Sequence, residues 1–327
     1  MDLGSTSDTG TTNRETSKTL VSRQHQEKRA SILFKALTFL PIVLFLIILI
    51  VLISRSLPIL EQKNIFELLS GKIWRPSEGE FGFLPFIAGS IWVTVLAMLI
   101  AAPISIMCAI YLAEYATNLT RTILKPLIDI LAAIPSVVYG LWGVLVIVPW
   151  VGNSFSPFVE KTLGFLPFLQ SKNPTGYSIL AGALVLAVMV TPFIIAVSYE
   201  VMRTVPRGYH EASLAVGATQ WQTVRYVVLP RVVSGLAAGV ILGTSRAFGE
   251  TIAVLMVIGN NPAIPKSILD AAYPLPALIA NNYGEMMSIP LYDSALLGSA
   301  LLLLIIVLIF NVSSALVLRR VTTKAME

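Results

Sequence analysis

The sequence predicts an all-α integral membrane protein with six transmembrane helices, and three observations carry that prediction. Hydrophobic residues make up 55% of the 327 positions and charged residues only 13%, a balance far too apolar for a water-soluble domain. Six apolar runs are each long enough to cross a bilayer. Lys and Arg collect at alternate ends of these runs. With the N-terminus in the cytoplasm, fifteen lie inside, seven lie outside, and Arg246 is left within a run. No space remains for a soluble catalytic domain. The net charge of +5 marks topology rather than a nucleic-acid surface, so the expected surroundings are membrane lipid and no nucleic acid.

Residues 1–30 are rich in Ser, Thr, Gln and charge without an apolar period, which predicts a disordered cytoplasmic tail. The first span, 36–53, follows Lys28, Arg29 and Lys35 and has no small-x-small cleavage site after it, so it reads as retained. The others are 86–113, 128–150, 177–199, 232–258 and 294–318. An even number of spans puts both termini on one side. The membrane domain covers 31–320, with a cytoplasmic loop over about 200–231 and a short cytoplasmic C-terminal tail, 321–327. The opposite loops, 151–176 and 259–292, mix Pro, Phe and Leu with polar residues and suit the membrane interface.

Pro41, Pro103, Pro135 and Pro192 fall inside spans, where neighbouring helices can supply the lost backbone partners, so bent helices are expected. Around Pro135 the stretch 131–143 adds Ser136, Gly140 and Gly143, which permit close packing or line a path. Cys108 is the single cysteine and sits in an apolar run, so neither an intrachain disulfide nor a thiolate metal site is expected.

The segment 211–230 is the polar, regularly built part of the cytoplasmic loop. Pro206 suits a helix start, and Gly217 can take the left-handed conformation that ends a first helix. Thr219 and Gln222 have capping-box spacing for a second helix, and Pro230 is expected to stop it after Leu229. Ala212 and Ala215 allow close backbone approach. A helix, a glycine corner and a helix result, a rigid knob suited to pressing on another protein.

Arg246 and Glu250 lie near the middle of 232–258, one helical turn apart on one expected face. A central Arg costs about 2.5–3.5 kcal/mol on insertion scales, so it needs interior partners. Arg before Glu is the weaker order for an i,i+4 pair, and a buried structural pair competes with a transport path as the explanation. A guanidinium matches a tetrahedral oxyanion through its planar fork and permanent charge.

With these residues in view, the chain resembles the PstC family, permease subunits of bacterial phosphate ABC importers, over about 81–320. The resemblance rests on 131–143, on the 211–230 loop with Glu211, Ala212, Gly217, Leu229 and Pro230 in the ABC-permease loop pattern, and on 246–260, which opens Arg-Ala-Phe-Gly-Glu-Thr. Ser213 and Val227 depart from the loop pattern conservatively. The resemblance implies a type I ABC importer permease architecture and the homologous permease PstA. It also implies two copies of the ATPase PstB and the phosphate-binding protein PstS. It assigns Glu211, Ala212, Ser213, Leu214 and Gly217 to a coupling helix, and Arg246 and Glu250 to the substrate path. No Gly-x-x-x-x-Gly-Lys-Ser/Thr sequence occurs, so ATP hydrolysis falls to another polypeptide and no cofactor is expected. Permeases for sulfate or molybdate share the loop pattern. A secondary transporter would account for the spans but not for the loop.

Overall fold

The computed structural model describes residues 9–163, 165, 167–170, 175–285, 289 and 291–324, so parts of the expected N-terminal tail, C-terminal tail and two interfacial loops lie outside the described residues. The helices begin with α1 (Thr9–Gln62), α2 (Ile65–Ser70), α3 (Leu84–Ile110) and α4 (Asn118–Ala133). Next come α5 (Ser136–Trp142), α6 (Val148–Trp150), α7 (Ser156–Leu163) and α8 (Ile179–Met202). The last are α9 (Arg207–Ala215), α10 (Gln220–Thr223), α11 (Leu229–Phe248), α12 (Ile252–Val257), α13 (Leu275–Asn282) and α14 (Tyr292–Lys324).

Two units make up the chain, Met1–Ser54 and Arg55–Glu327. In the first, the backbone is already helical from Thr9, where composition predicts a disordered tail. The apolar side chains between Leu33 and Ile53 are almost all exposed. The second unit is built around α8, in which 72% of the apolar window is buried against 39% or less in the other spans. Ile179, Leu186, Val190 and Ile194 of α8 join Val93, Ala97 and Ala101 of α3 and Ala253 and Val257 of α12 in the main core.

Among the described residues, six helical stretches are long and apolar enough to cross a membrane: Leu33–Gln62, Leu84–Tyr115, Ser136–Thr162, Ile179–Met202, Gln220–Phe248 and Tyr292–Ser313. Their number agrees with the sequence, but the third and fifth spans are displaced along the chain. The third span starts at Ser136, not near 128, because Ile134 is extended ahead of Pro135 and α4 ends at Ala133. Tyr139 Oη donates to the Leu131 carbonyl at 2.9 Å across this break. The fifth span starts earlier, at Gln220, and ends at Phe248.

The earlier start corrects the reading of Pro230 as a stop. A π-turn, Val224–Val228, joins α10 to α11, and Leu229 N–H donates to the Val224 carbonyl. The same device recurs at Gly143–Ile147 before Pro149 and at Val151–Phe155 before Pro157. In each, the wider i→i−5 bond closes one residue before the proline, and the helix continues past a ring that would otherwise clash with a carbonyl one turn back. These turns also extend the third span through residues expected in a loop.

At the end of the bundle opposite the α8–α11 connection, a small antiparallel hairpin pairs β1 (Trp74–Arg75) with β2 (Glu80–Phe81), and Gly79 takes the left-handed conformation its turn requires. Trp74 packs edge-on against Phe81 and Phe86 in an aromatic cluster completed by Phe83, Tyr273 and Tyr292. Ser294 Oγ accepts from Ile59 N–H at 3.1 Å and ties the end of α1 to α14.

Candidate functional site

Two of the sequence-predicted elements are built as separate sites. The first is the corner between α9 and α11. Pro206 caps the start of α9, Gly217 has φ +86°, and its N–H donates to the Leu214 carbonyl at 3.0 Å. The capping box is complete: Thr219 Oγ1 accepts from Gln222 N–H at 3.3 Å, and Gln222 Oε1 accepts from Thr219 N–H at 2.8 Å. Ser213 Oγ and Thr223 Oγ1 are hydrogen-bonded at 2.9 Å and lock the two helices together.

Glu211, Ala212, Leu214 and Gly217 are all exposed, and Ser213 is half-buried. Leu214 is 52%, Val216 85% and Trp221 52% exposed, so the tip of the corner presents an apolar patch. Tyr209 lies under Arg231, 4.1 Å from the ring centroid, and fastens the start of α9 to the start of α11. Nearby, Lys125 Nζ donates to Glu200 Oε1 at 2.6 Å, and that hydrogen bond raises the Lys125 pKa above its ordinary value.

The second site is a break within the apolar stretch 232–258. The α-helix stops at Phe248, residues 249–251 are not helical, and α12 begins at Ile252. The expected geometry of Arg246 and Glu250, one turn apart on one helix, is therefore corrected: the helix ends between them, and the two side chains form no ion pair. Gly249 removes the helix-favouring side chain at this point. Arg246 stands in the last turn of α11, where a cation complements the partial negative charge of the helix end.

Arg246 is exposed on the subunit surface, with its guanidinium carbon 5.1 Å from the centroid of Phe193. Glu250 is half-buried, and its Oε1 accepts from Ala253 N–H at 3.4 Å, facing the start of α12. Thr251 Oγ1 donates to the Gly249 carbonyl at 3.3 Å.

The structure brings two sequence stretches together here. A Cβ on Gly140 would lie 2.7 Å from Met256 Sδ and 3.1 Å from Ala253 Cα, so this glycine lets α5 approach the backbone of α12. A Cβ on Gly143 would meet Val185 and Val257 at 2.5 and 2.8 Å. The 131–143 stretch is thus the surface against which the broken helix is seated. Sequence reasoning missed Phe193 as a neighbour of Arg246, because the contact joins residues far apart in the chain. It also missed Glu114, which meets His210 at 3.0 Å; an acid closing an apolar run was the available signal.

A family model described as "Binding-protein-dependent transport system inner membrane component" matches residues 103–324. A probable ABC transporter permease protein, YqgH of Bacillus subtilis, is 40% identical over 75% of this chain and 74% of its own length. A phosphate transport system permease protein PstC of Xylella fastidiosa is 39% identical over 77% of this chain and 78% of its own. PstC of Haemophilus influenzae is 35% identical over 88% and 93%. The fold is similar to that of a bacterial ABC transporter involved in the import of the acidic polysaccharide alginate, with a TM-score of 0.59, 16% identity, and coverage of 92% of this chain and 99% of that one. Six apolar spans, a capped corner and a broken fifth span are thus joined to a family match over most of the chain, which belongs to the binding-protein-dependent transport system inner membrane components.

Proposed function

We propose that this chain is a permease subunit that carries inorganic phosphate inward across the cytoplasmic membrane as part of an ABC importer. The observation that carries this reading is Arg246: a permanent cation within an apolar stretch, exposed on the subunit surface at a helix break. A charge so placed cannot face lipid cheaply; it belongs on a water-filled path or a surface covered by a second permease. Its fork suits phosphate oxygens. Glu250 lies along the same path and, held toward the α12 start, keeps the unwound backbone in place. The relatives named as phosphate permeases support the choice of anion.

The 207–223 corner is the ATPase-coupling element, with Glu211, Ala212, Ser213, Leu214 and Gly217 on its first helix and turn, and it lies in the cytoplasm with both termini. The partners are a homologous permease of the PstA type, two copies of a PstB-type ATPase, which hydrolyses the ATP, and a PstS-type phosphate-binding protein. The distribution of Lys and Arg supports this orientation. A reporter fused after Lys324 is expected on the cytoplasmic side and one near Gly71 outside; the reverse labelling overturns the topology.

The test of function is phosphate uptake by the assembled complex. Arg246→Gln is expected to assemble and to lose uptake roughly ten- to a hundredfold, the equivalent of one charged hydrogen bond of about 1.5–3 kcal/mol. Arg246→Lys falls between, because it keeps the charge and loses the fork. An assembled Gln variant with wild-type uptake removes Arg246 from the path. Sulfate or molybdate competing equally with phosphate reassigns the anion.

A further inference from the structure

We propose that Glu114 is the positioning residue through which the 207–223 corner moves α3 during transport; this rests on the coupling role assigned to that corner above. Glu114 lies in the π-turn Tyr111–Tyr115, which continues α3 without a break. Both halves of the corner hold this one residue. His210 of α9 meets its carboxylate, Nε2 to Oε2, at 3.0 Å, and Gln220 Nε2 of α10 donates to its backbone carbonyl at 2.6 Å.

The grip is sheltered. The Glu114 side chain is only 8% exposed and that of His210 26%, so solvent does little to loosen the pair. His210 Nδ1 is buried without a hydrogen-bond partner, which leaves Glu114 as the polar group that fixes the ring. Arg121 of α4 also holds this turn, donating to the carbonyls of Leu112 and Ala113 at 3.1 Å each. The end of α3 is in turn keyed into α8. Leu112, Ala109 and Ala116 share a buried cluster with Ile195 and Tyr199, and Ser105 Oγ donates to the Thr191 carbonyl at 3.2 Å.

The corner therefore has two sides. Its outer side shows Leu214, Val216 and Trp221; its inner side is tied to Glu114. Because Ser213 and Thr223 lock α9 to α10, a push on the outer patch moves both ties together. A π-turn at the receiving end, closed by the Ala116 N–H bond to the Tyr111 carbonyl at 2.8 Å, is a suitable joint, since π-bulges within α-helices recur at functional sites.

The experiment uses the full chain, co-expressed with its partner subunits and reconstituted in vesicles, and reads phosphate taken up per ATP hydrolysed. Glu114→Ala is expected to keep the ATPase bound but lower phosphate per ATP at least tenfold, with Glu114→Gln less affected. His210→Ala should match Glu114→Ala, and the double variant should be no worse than either, since one linkage is cut twice. Additive losses overturn the proposal, as does wild-type phosphate per ATP in Glu114→Ala. If the Ala variant does not assemble, the Gln variant decides: an assembled complex with phosphate per ATP measurably below wild type supports the role, while full coupling, or failure of both to assemble, overturns it. Leu214→Asp, measured alongside, separates the two readings. Normal ATPase binding and coupling in that variant removes the corner's role itself, whereas loss of the ATPase there with unchanged coupling in the Glu114 variants removes only Glu114.

Discussion

The corner at 207–223 and the break at 246–252 both interrupt a helix with a glycine, yet they are held by different forces. In the corner, Gly217 has no atom within 4 Å of an added Cβ and a φ of +86°, so it is present for its backbone conformation. The bonds that shape it span three to ten residues. At the break, Gly249 has φ −85°, and the glycines that matter are Gly140 and Gly143, a hundred residues earlier in the chain, which make room for α12 and its neighbours. Local hydrogen bonding shapes the first element. Long-range packing shapes the second, and only the first could be derived from its own residues.

The largest effect is expected where packing is in control. Gly143→Val places methyl groups where even a Cβ would approach Val185 and Val257 at 2.5 and 2.8 Å. Overpacking of this kind costs about 1–3 kcal/mol. The expected outcome is a marked fall in recovered complex, measured by co-purification with the ATPase, together with a lower melting temperature. Wild-type recovery and melting would show that the 131–143 stretch is not the seat of the broken helix.

This difference also sets what was legible in the sequence. Apolar runs are long and need no partner to be seen, so the six spans and the membrane fold emerged from hydropathy alone. The capping box and Gly217 emerged because each satisfies backbone groups within one turn. Prolines did not read uniformly. Pro135 breaks its helix, whereas Pro149, Pro157 and Pro230 are carried through by preceding π-turns. Arg246 is legible as a charge within an apolar run, but its geometry with Glu250 is not, because the apolar run continues through Gly249 while the helix ends at Phe248. Glu114 and His210 lie 96 positions apart, and their pairing needed the fold.

A middle-sized effect is expected at Gly217. An L-residue in the left-handed region costs about 1–2 kcal/mol, more when β-branched, and there is no clash to add. Gly217→Val should lower uptake and substrate-stimulated ATP hydrolysis while the protein remains in the membrane. Gly217→Asn, which tolerates this conformation, should recover most of both. Equal behaviour of Val and Asn would mean that the positive φ is not what the corner requires.

The smallest effect is expected at Thr219, because its loss removes only half of the capping box. Thr219→Ala deletes the oxygen that accepts from Gln222 N–H, but Gln222 Oε1 can still accept from the backbone N–H of residue 219. Losing a Thr N-cap typically costs about 1 kcal/mol. Here the remaining half-box, the Ser213–Thr223 bond and the Gln220 tie to Glu114 hold the second helix in register, so the cost should fall below that figure. Uptake is expected to stay within about twofold of wild type, the change corresponding to a few tenths of a kcal/mol. Gln222→Ala should behave similarly, and the double variant should lose more than the sum of the two, since each half of the box supports the corner when the other is absent. Thermal melting of the solubilised complex and initial uptake rates would be measured for all three. A single Thr219→Ala change that abolishes coupling would show that the corner depends on this one cap, and that the network of side-chain ties around it carries little of the load.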